Sequence, residues 1–155
     1  MKKAALALLI LCLSVFSSCS SSSPGLSSFS LELTVPKTTI QVGEKVTFMA
    51  ELKNLTDKEY TLMSLQPLVW LVLFPEGKEP EYAQITMVSP TTIEPGESIT
   101  ETLDFQPTSP GKYILKSFSS EFEAKEGNEP FHYYTSKQFC YSLEEVSITV
   151  VFRDE

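Results

Sequence analysis

Histidine is nearly absent from this chain and cysteine is scarce: of 155 residues, one is His and three are Cys. A zinc site gathers several such ligands, and a Ser–His–Asp arrangement needs a His beside its nucleophile. His132 alone supports neither. Gly-rich phosphate loops and a GxSxG elbow are also missing, which removes the common nucleotide-binding and α/β-hydrolase chemistries. Basic residues are few, 12 Lys and Arg against 20 Asp and Glu, for a formal charge of −8. That sign argues against nucleic acid, whose affinity comes from Lys and Arg neutralising phosphates, and against docking on anionic lipid through a basic patch. The acidity reads as solubility near a negatively charged surface. No long stretch has a helical period. The one candidate, Ser119–Lys125, is short and ends at Gly127. No catalytic residue, metal or cofactor is expected.

What is present begins with an address. Lys2 and Lys3 precede an apolar run, Ala4 to Phe16, broken only by Ser14. Its 13 residues suit the apolar core of a signal peptide and are too short to cross the hydrocarbon core as a helix. Phe16-Ser17-Ser18-Cys19 follows. This resembles the lipobox of bacterial lipoproteins, with Phe16 where such motifs usually have Leu. The resemblance implies cleavage before Cys19 and acylation of its sulfur, with diacylglycerol and often a further chain such as palmitate on the new amino terminus. Each buried CH₂ contributes roughly 0.8 kcal/mol, so two or three acyl chains hold a protein firmly to a membrane. Ser20–Ser23, Pro24, Gly25, Ser27 and Ser28 read as a flexible tether. The expected organisation is therefore a signal peptide over 1–18, a lipidated Cys and Ser-rich tether over 19–28, and one domain over 29–155. The expected location is extracytoplasmic, on the cell membrane or an outer membrane, with Cys19 as the membrane contact. Cys12 leaves with the signal and Cys19 takes lipid, so Cys140 has no partner for an internal disulfide. It reads as a small buried hydrophobe on a strand.

From Phe29 onward the hydrophobic period is mostly two. Phe29, Leu31, Leu33 and Val35 alternate with polar residues, as do Val46, Phe48, Ala50 and Leu52, and Val146, Ile148, Val150 and Phe152. Such alternation puts one face on a core and one in water. Leu68–Phe74 is apolar throughout, as expected for a central strand covered on both faces. Pro, Gly and Asn punctuate these runs at 42–44, 54–57, 75–77, 95–97 and 110–111. Asn54-Leu55-Thr56 has the form of a glycosylation acceptor and is read as a turn. Thr38-Thr39-Ile40-Gln41-Val42-Gly43-Glu44 parallels Thr91-Thr92-Ile93-Glu94-Pro95-Gly96-Glu97. The pair reads as one local device used twice: a short extended segment meeting a Gly turn that feeds a core strand on each sheet. Glu101 breaks the apolar parity of Ile99, Leu103 and Phe105, which places that strand at an edge or gives it a bulge. The expected fold is all-β, an immunoglobulin-like antiparallel sandwich of about seven strands.

The strand ending Leu52-Lys53-Asn54, then Ile93-Glu94-Pro95-Gly96-Glu97, Leu103-Asp104-Phe105 and Pro110-Gly111-Lys112-Tyr113-Ile114-Leu115, resembles bacterial immunoglobulin-like modules. It looks most like the intracellular proteinase inhibitor (BsuPI) family, over roughly Leu33 to Leu115. That resemblance implies a sandwich and, as an alternative function, proteinase inhibition. Two groups remain. Glu121, Glu123, Glu126 and Glu129 form an acidic patch read as a solvated loop rather than a metal site. Phe131, His132, Tyr133 and Tyr134, with Phe139 and Tyr141, fall in a long interval between two core strands. Such loops on rigid scaffolds carry binding, although alternate aromatics also occur where a strand pair packs on a core. The leading expectation is a non-catalytic binding module with a protein partner, using Phe131, His132, Tyr133 and Tyr134. The alternatives are a BsuPI-type inhibitor and a passive envelope or assembly component.

Overall fold

The computed structural model describes residues 26–80, 87–127 and 138–152. Cys19, the signal and tether segments, and Phe131, His132, Tyr133 and Tyr134 lie outside them. After a short 3₁₀ turn at Leu26–Ser28 come eleven strands: β1 (Phe29–Thr34), β2 (Thr39–Gln41), β3 (Val46–Asn54), β4 (Tyr60–Leu65), β5 (Val69–Pro75), β6 (Val88–Ile93), β7 (Ser98–Phe105), β8 (Gly111–Ser119), β9 (Phe122–Glu126), β10 (Gln138–Phe139) and β11 (Val146–Val151). One sheet has the order β1-β3-β7. A second has β2-β11-β8-β5, and a third β10-β9-β4-β6. All pairings are antiparallel except β2 with β11. The first two sheets face each other as an immunoglobulin-like sandwich. Among the described residues no helix is long and apolar enough to cross a membrane.

The second and third sheets share one bent ladder. β5 pairs with β8 from Val69↔Ser119 to Pro75↔Tyr113, and β4 pairs with β9 from Ser64↔Phe122 to Tyr60↔Glu126. β4–β5 and β8–β9 are thus two long strands interrupted together, at Gln66–Leu68 and at Ser120–Glu121. Pro67 has no N–H to give a ladder, and the Ser120 side takes over the bonding there. The Ser120 N–H donates to the Leu68 carbonyl at 2.8 Å, and its hydroxyl donates to the Pro67 carbonyl at 2.9 Å. Counted as two bent strands, and with three-residue β2 and two-residue β10 set aside, the eleven segments reduce to the seven expected.

One helix candidate is resolved as strand at this ladder, and one expectation fails. Ser119–Lys125 is not helical: Phe122 and Ala124 alternate into the core opposite β4, and the segment is strand. Val69–Pro75 is not a central strand covered on both faces. It is the edge of its sheet, with Val69 and Leu71 inward and Trp70, Val72 and Phe74 on the outer face, where Trp70 stacks on Phe118 at 5.8 Å. An apolar outer face produced the same unbroken run as double burial would.

The core has two lobes. One gathers Phe29, Ala50, Leu52, Tyr60, Leu62, Ile93, Phe122 and Phe139; the other holds Ile40, Val46, Phe48, Leu115 and Ile148. Leu33 and Leu71 pack against both. In the first lobe Phe29 meets Tyr60, Phe122 and Phe139 edge-on, at 5.4, 5.5 and 6.2 Å between ring centres. Such edge-to-face pairs are favourable beyond the area they bury.

The repeated turn is one device, with a visible mechanism. Gly43 and Gly96 adopt φ of 82° and 72°, a left-handed conformation that side chains resist. Three residues after Gln41 and Glu94, the carboxylates of Glu44 and Glu97 accept from their backbone N–H groups, at 3.1 and 2.7 Å. Ile40 and Ile93, just before each turn, are fully buried. The expectation that each copy feeds a different sheet is wrong: β3 and β7, which follow them, are neighbours in one sheet. The strands before them, β2 and β6, lie in the second and third sheets. Each device therefore carries the chain across the sandwich. Because β3 and β7 are antiparallel, the two crossings sit at opposite ends of the domain.

Asn54 locks one of those ends. It is fully buried, and every bonding capacity of its amide is used. Its Nδ2 donates to the carbonyls of Lys58 at 2.7 Å and Glu94 at 3.1 Å, with Ile93 at 3.5 Å, and its Oδ1 accepts from the N–H and hydroxyl of Thr56 at 3.0 and 2.8 Å. Asn54→Asp keeps the acceptors but aims a carboxylate at carbonyl oxygens. It should lower unfolding free energy by about 2–4 kcal/mol at neutral pH, the scale of a buried polar site left unpaired. Urea unfolding followed by fluorescence measures it, and an unchanged midpoint contradicts the role assigned to Asn54.

Candidate binding surface

β7 is an edge strand, as the parity break at Glu101 indicated, and it carries no bulge: its register with β3 runs unbroken from Val46↔Phe105 to Lys53↔Ser98. Glu101 sits opposite fully buried Ala50, in the inward parity, yet it is exposed. Both follow from an open side of the sandwich. β7 ends one sheet and β5 ends the other, and between them lies a groove of about 530 Å³ lined by Val69, Leu71, Leu73, Leu103, Phe105 and Tyr113, with Trp70 and Glu101 among its other walls. Among the described residues Glu101 is the one charged residue lining it. No ion pair of Glu101 occurs among the described residues.

The groove is held from below by the ladder bend. The Trp70 indole N–H donates to the Ser120 hydroxyl at 2.8 Å. Ser119, buried beside it, accepts at its Oγ from the Tyr141 N–H at 2.9 Å, while its own N–H donates to the Tyr141 carbonyl at 2.8 Å. The segment after β10 is thereby fastened to the bend. Tyr141 stacks on Phe122 at 6.1 Å, and burial raises its phenol pKa above the ordinary value. Of the expected aromatic region, Phe139 is core and Tyr141 packs against it. Phe131, His132, Tyr133 and Tyr134 are outside the described residues. Cys140 is exposed, not buried, because the alternation that turns Phe139 and Tyr141 inward turns it out. Its Sγ lies 3.6 Å from the Ser119 carbonyl.

The acidic patch is only partly a loop: Glu121 sits at the ladder break before β9, and Glu129 lies outside the described residues. Glu123 and Glu126 belong to β9, and Glu126 pairs with Lys58 at 2.7 Å. No group of three His, Cys, Asp or Glu able to hold a metal occurs among the described residues. Other charges lie at the two ends. Near the Gly43 turn, Lys45 and the Thr47 hydroxyl hold Asp104 below its ordinary pKa, and Lys37 with the Gln41 N–H does the same for Glu44. At the Asn54 end, Glu59, then partial desolvation and Glu97, push Glu94 above its ordinary value of 4.5.

No family model matches this chain, and no curated protein matches it. Among solved structures it is similar to the CARDB domain of a Pyrococcus furiosus protein, at 15% identity and TM-score 0.38, over 81% of this chain and 96% of that one. It is similar to the ASH/PapD-like domain 7 of human CEP192, at 15% identity and TM-score 0.38, over 92% and 99%. A β-glucosidase from Listeria innocua matches at 13% identity and TM-score 0.39, over 79% of this chain and 16% of the enzyme.

The groove was missed by sequence reasoning because Val69–Pro75 gave no sign of being an edge. Glu101 was the available signal, a charge in an inward position. The carboxylates at the Asn54 end give a pH prediction. A raised Glu94 pKa means the folded state binds that proton more tightly than the unfolded chain. Stability is therefore reduced above the folded pKa, and the penalty disappears as pH falls through it towards 4.5. Glu94→Gln should raise the urea midpoint at pH 7, and the difference should vanish below about pH 4. An equal or larger gain in acid contradicts the assignment.

Proposed function

We propose that this chain is a membrane-anchored extracytoplasmic lipoprotein whose sandwich acts as a non-catalytic binding module. The observation that carries the anchoring is the position of Cys19, directly after the Ala4–Phe16 run and the small residues Ser17 and Ser18, and ten residues before β1 opens the core at Phe29. Lipid there leaves Ser20–Ser28 as a spacer. The binding role is supported by the apolar groove between β5 and β7, which lies in a size range common for ligand sites. When expressed in a bacterium, the wild-type chain should enter the detergent phase of a Triton X-114 partition, and Cys19→Ser should move to the aqueous phase. If both forms stay aqueous, the anchor is wrong.

A second reading, proteinase inhibition, follows from the resemblance to the BsuPI family. Its support is that two residues carrying the resemblance, Asn54 and Glu97, hold the turns it marks. An inhibitor should abolish the activity of at least one serine protease in a panel at micromolar concentration. A panel left fully active removes this reading.

A further inference from the structure

We propose that the free edge of β7 takes up an extended peptide segment of a partner protein as an added strand, with a Lys or Arg facing Glu101 and apolar residues two positions to either side. The proposal rests on the binding-module reading and names the chemistry of its partner.

Among the described residues β7 bonds to β3 along one side only, so eight residues, Ser98–Phe105, present an edge about 27 Å long. Natural edges are blunted by Pro, bulges, shortness or an inward charge. β7 has no Pro and no bulge; only Glu101 remains. β6, also an edge, contrasts with it by carrying Pro90 within six residues. A strand added to β7 bonds through its backbone and sends alternate side chains into the space beside it, which is how edge recognition combines affinity with specificity. Here that space is the groove. Along the inward side of β7 the order is Leu103, Glu101, Ile99: Leu103 lines the groove, Ile99 packs against the first core lobe, and Glu101 between them is the single lining charge among the described residues. The complementary inward pattern is apolar, cationic, apolar, because opposite charges across a strand pair attract and like charges repel.

Charge also decides against a second copy of this chain as the occupant. Pairing β7 with itself brings Glu101 and Asp104 of both copies onto one short ladder, in a protein of net charge −8. β5 has no charged residue to offer in exchange.

The Trp70 ring stacks on Phe118 at the outer face of the sheet, so occupancy is read by isothermal titration calorimetry. The test titrates the full chain with the capped peptide Thr-Val-Thr-Lys-Thr-Val-Thr and with its Glu-centred counterpart. Saturable binding is expected for the Lys peptide. Its affinity should fall roughly tenfold on Glu101→Lys, and that variant should prefer the Glu peptide. Glu101 is exposed, so the substitution leaves the core intact. Methylating alternate backbone nitrogens of the peptide, tried in both phases, should abolish binding in one phase. Binding indifferent to residue 101, or to methylation in either phase, overturns the proposal. So does an absence of peptide binding while wild type and Glu101→Lys retain the same envelope protein, a result that removes this edge and leaves the binding-module reading standing.

Discussion

The bent antiparallel ladder formed by β4–β5 and β8–β9 is the constraint on which the rest depends. Backbone groups must be bonded wherever they are buried, and this ladder satisfies them in two sheets with two continuous pieces of chain. The break at Pro67 opposite Ser120 lets the sheet change direction without leaving orphan groups, because the Ser120 amide and hydroxyl both bond across it. Everything else docks on one half or the other. β2 and β11 extend the lower half, and β6 and β10 flank the upper. The two core lobes follow from the same bend, joined by Leu33 from the facing sheet and Leu71 from the ladder itself.

Much of this was legible. Period-two runs from Phe29, Val46 and Val146 became β1, β3 and β11. The duplicated Ile-x-x-Gly-Glu turns were visible as a repeat, and Glu101 marked an edge or a bulge, of which the edge is found. What was not legible depended on pairing across the chain. An apolar run such as Leu68–Phe74 has the same appearance whether its second face is covered or bears a Trp–Phe stack. Ser119–Lys125 was the one stretch open to a helical reading, yet the strand only turns there, because its partner contributes a proline at the same level. Cys140 was assigned to the core as a small apolar residue, but one position of alternation puts it outside.

The groove is a by-product of unequal sheets. β1-β3-β7 has three strands and faces sheets of four, so the layers do not end flush. β7 carries inward residues, Leu103 and Phe105, that remain half-covered although they belong to the core face. Glu101 is tolerated among them because water reaches it. A fully closed sandwich would have to bury that carboxylate or replace it.

The placement of the two crossing turns gives the domain a polarity. Its first strand starts beside Asn54, where the Leu55 amide bonds the Ser28 carbonyl, and Glu59, Glu94 and Glu97 share that pole. Gly43, Phe105 and the start of β8 lie at the other. Under the proposed lipid attachment, the pole nearest the bilayer is the one dense in carboxylates. An anionic leaflet would then repel that pole rather than seat it, so the domain stands off the surface within the reach of its Ser-rich tether.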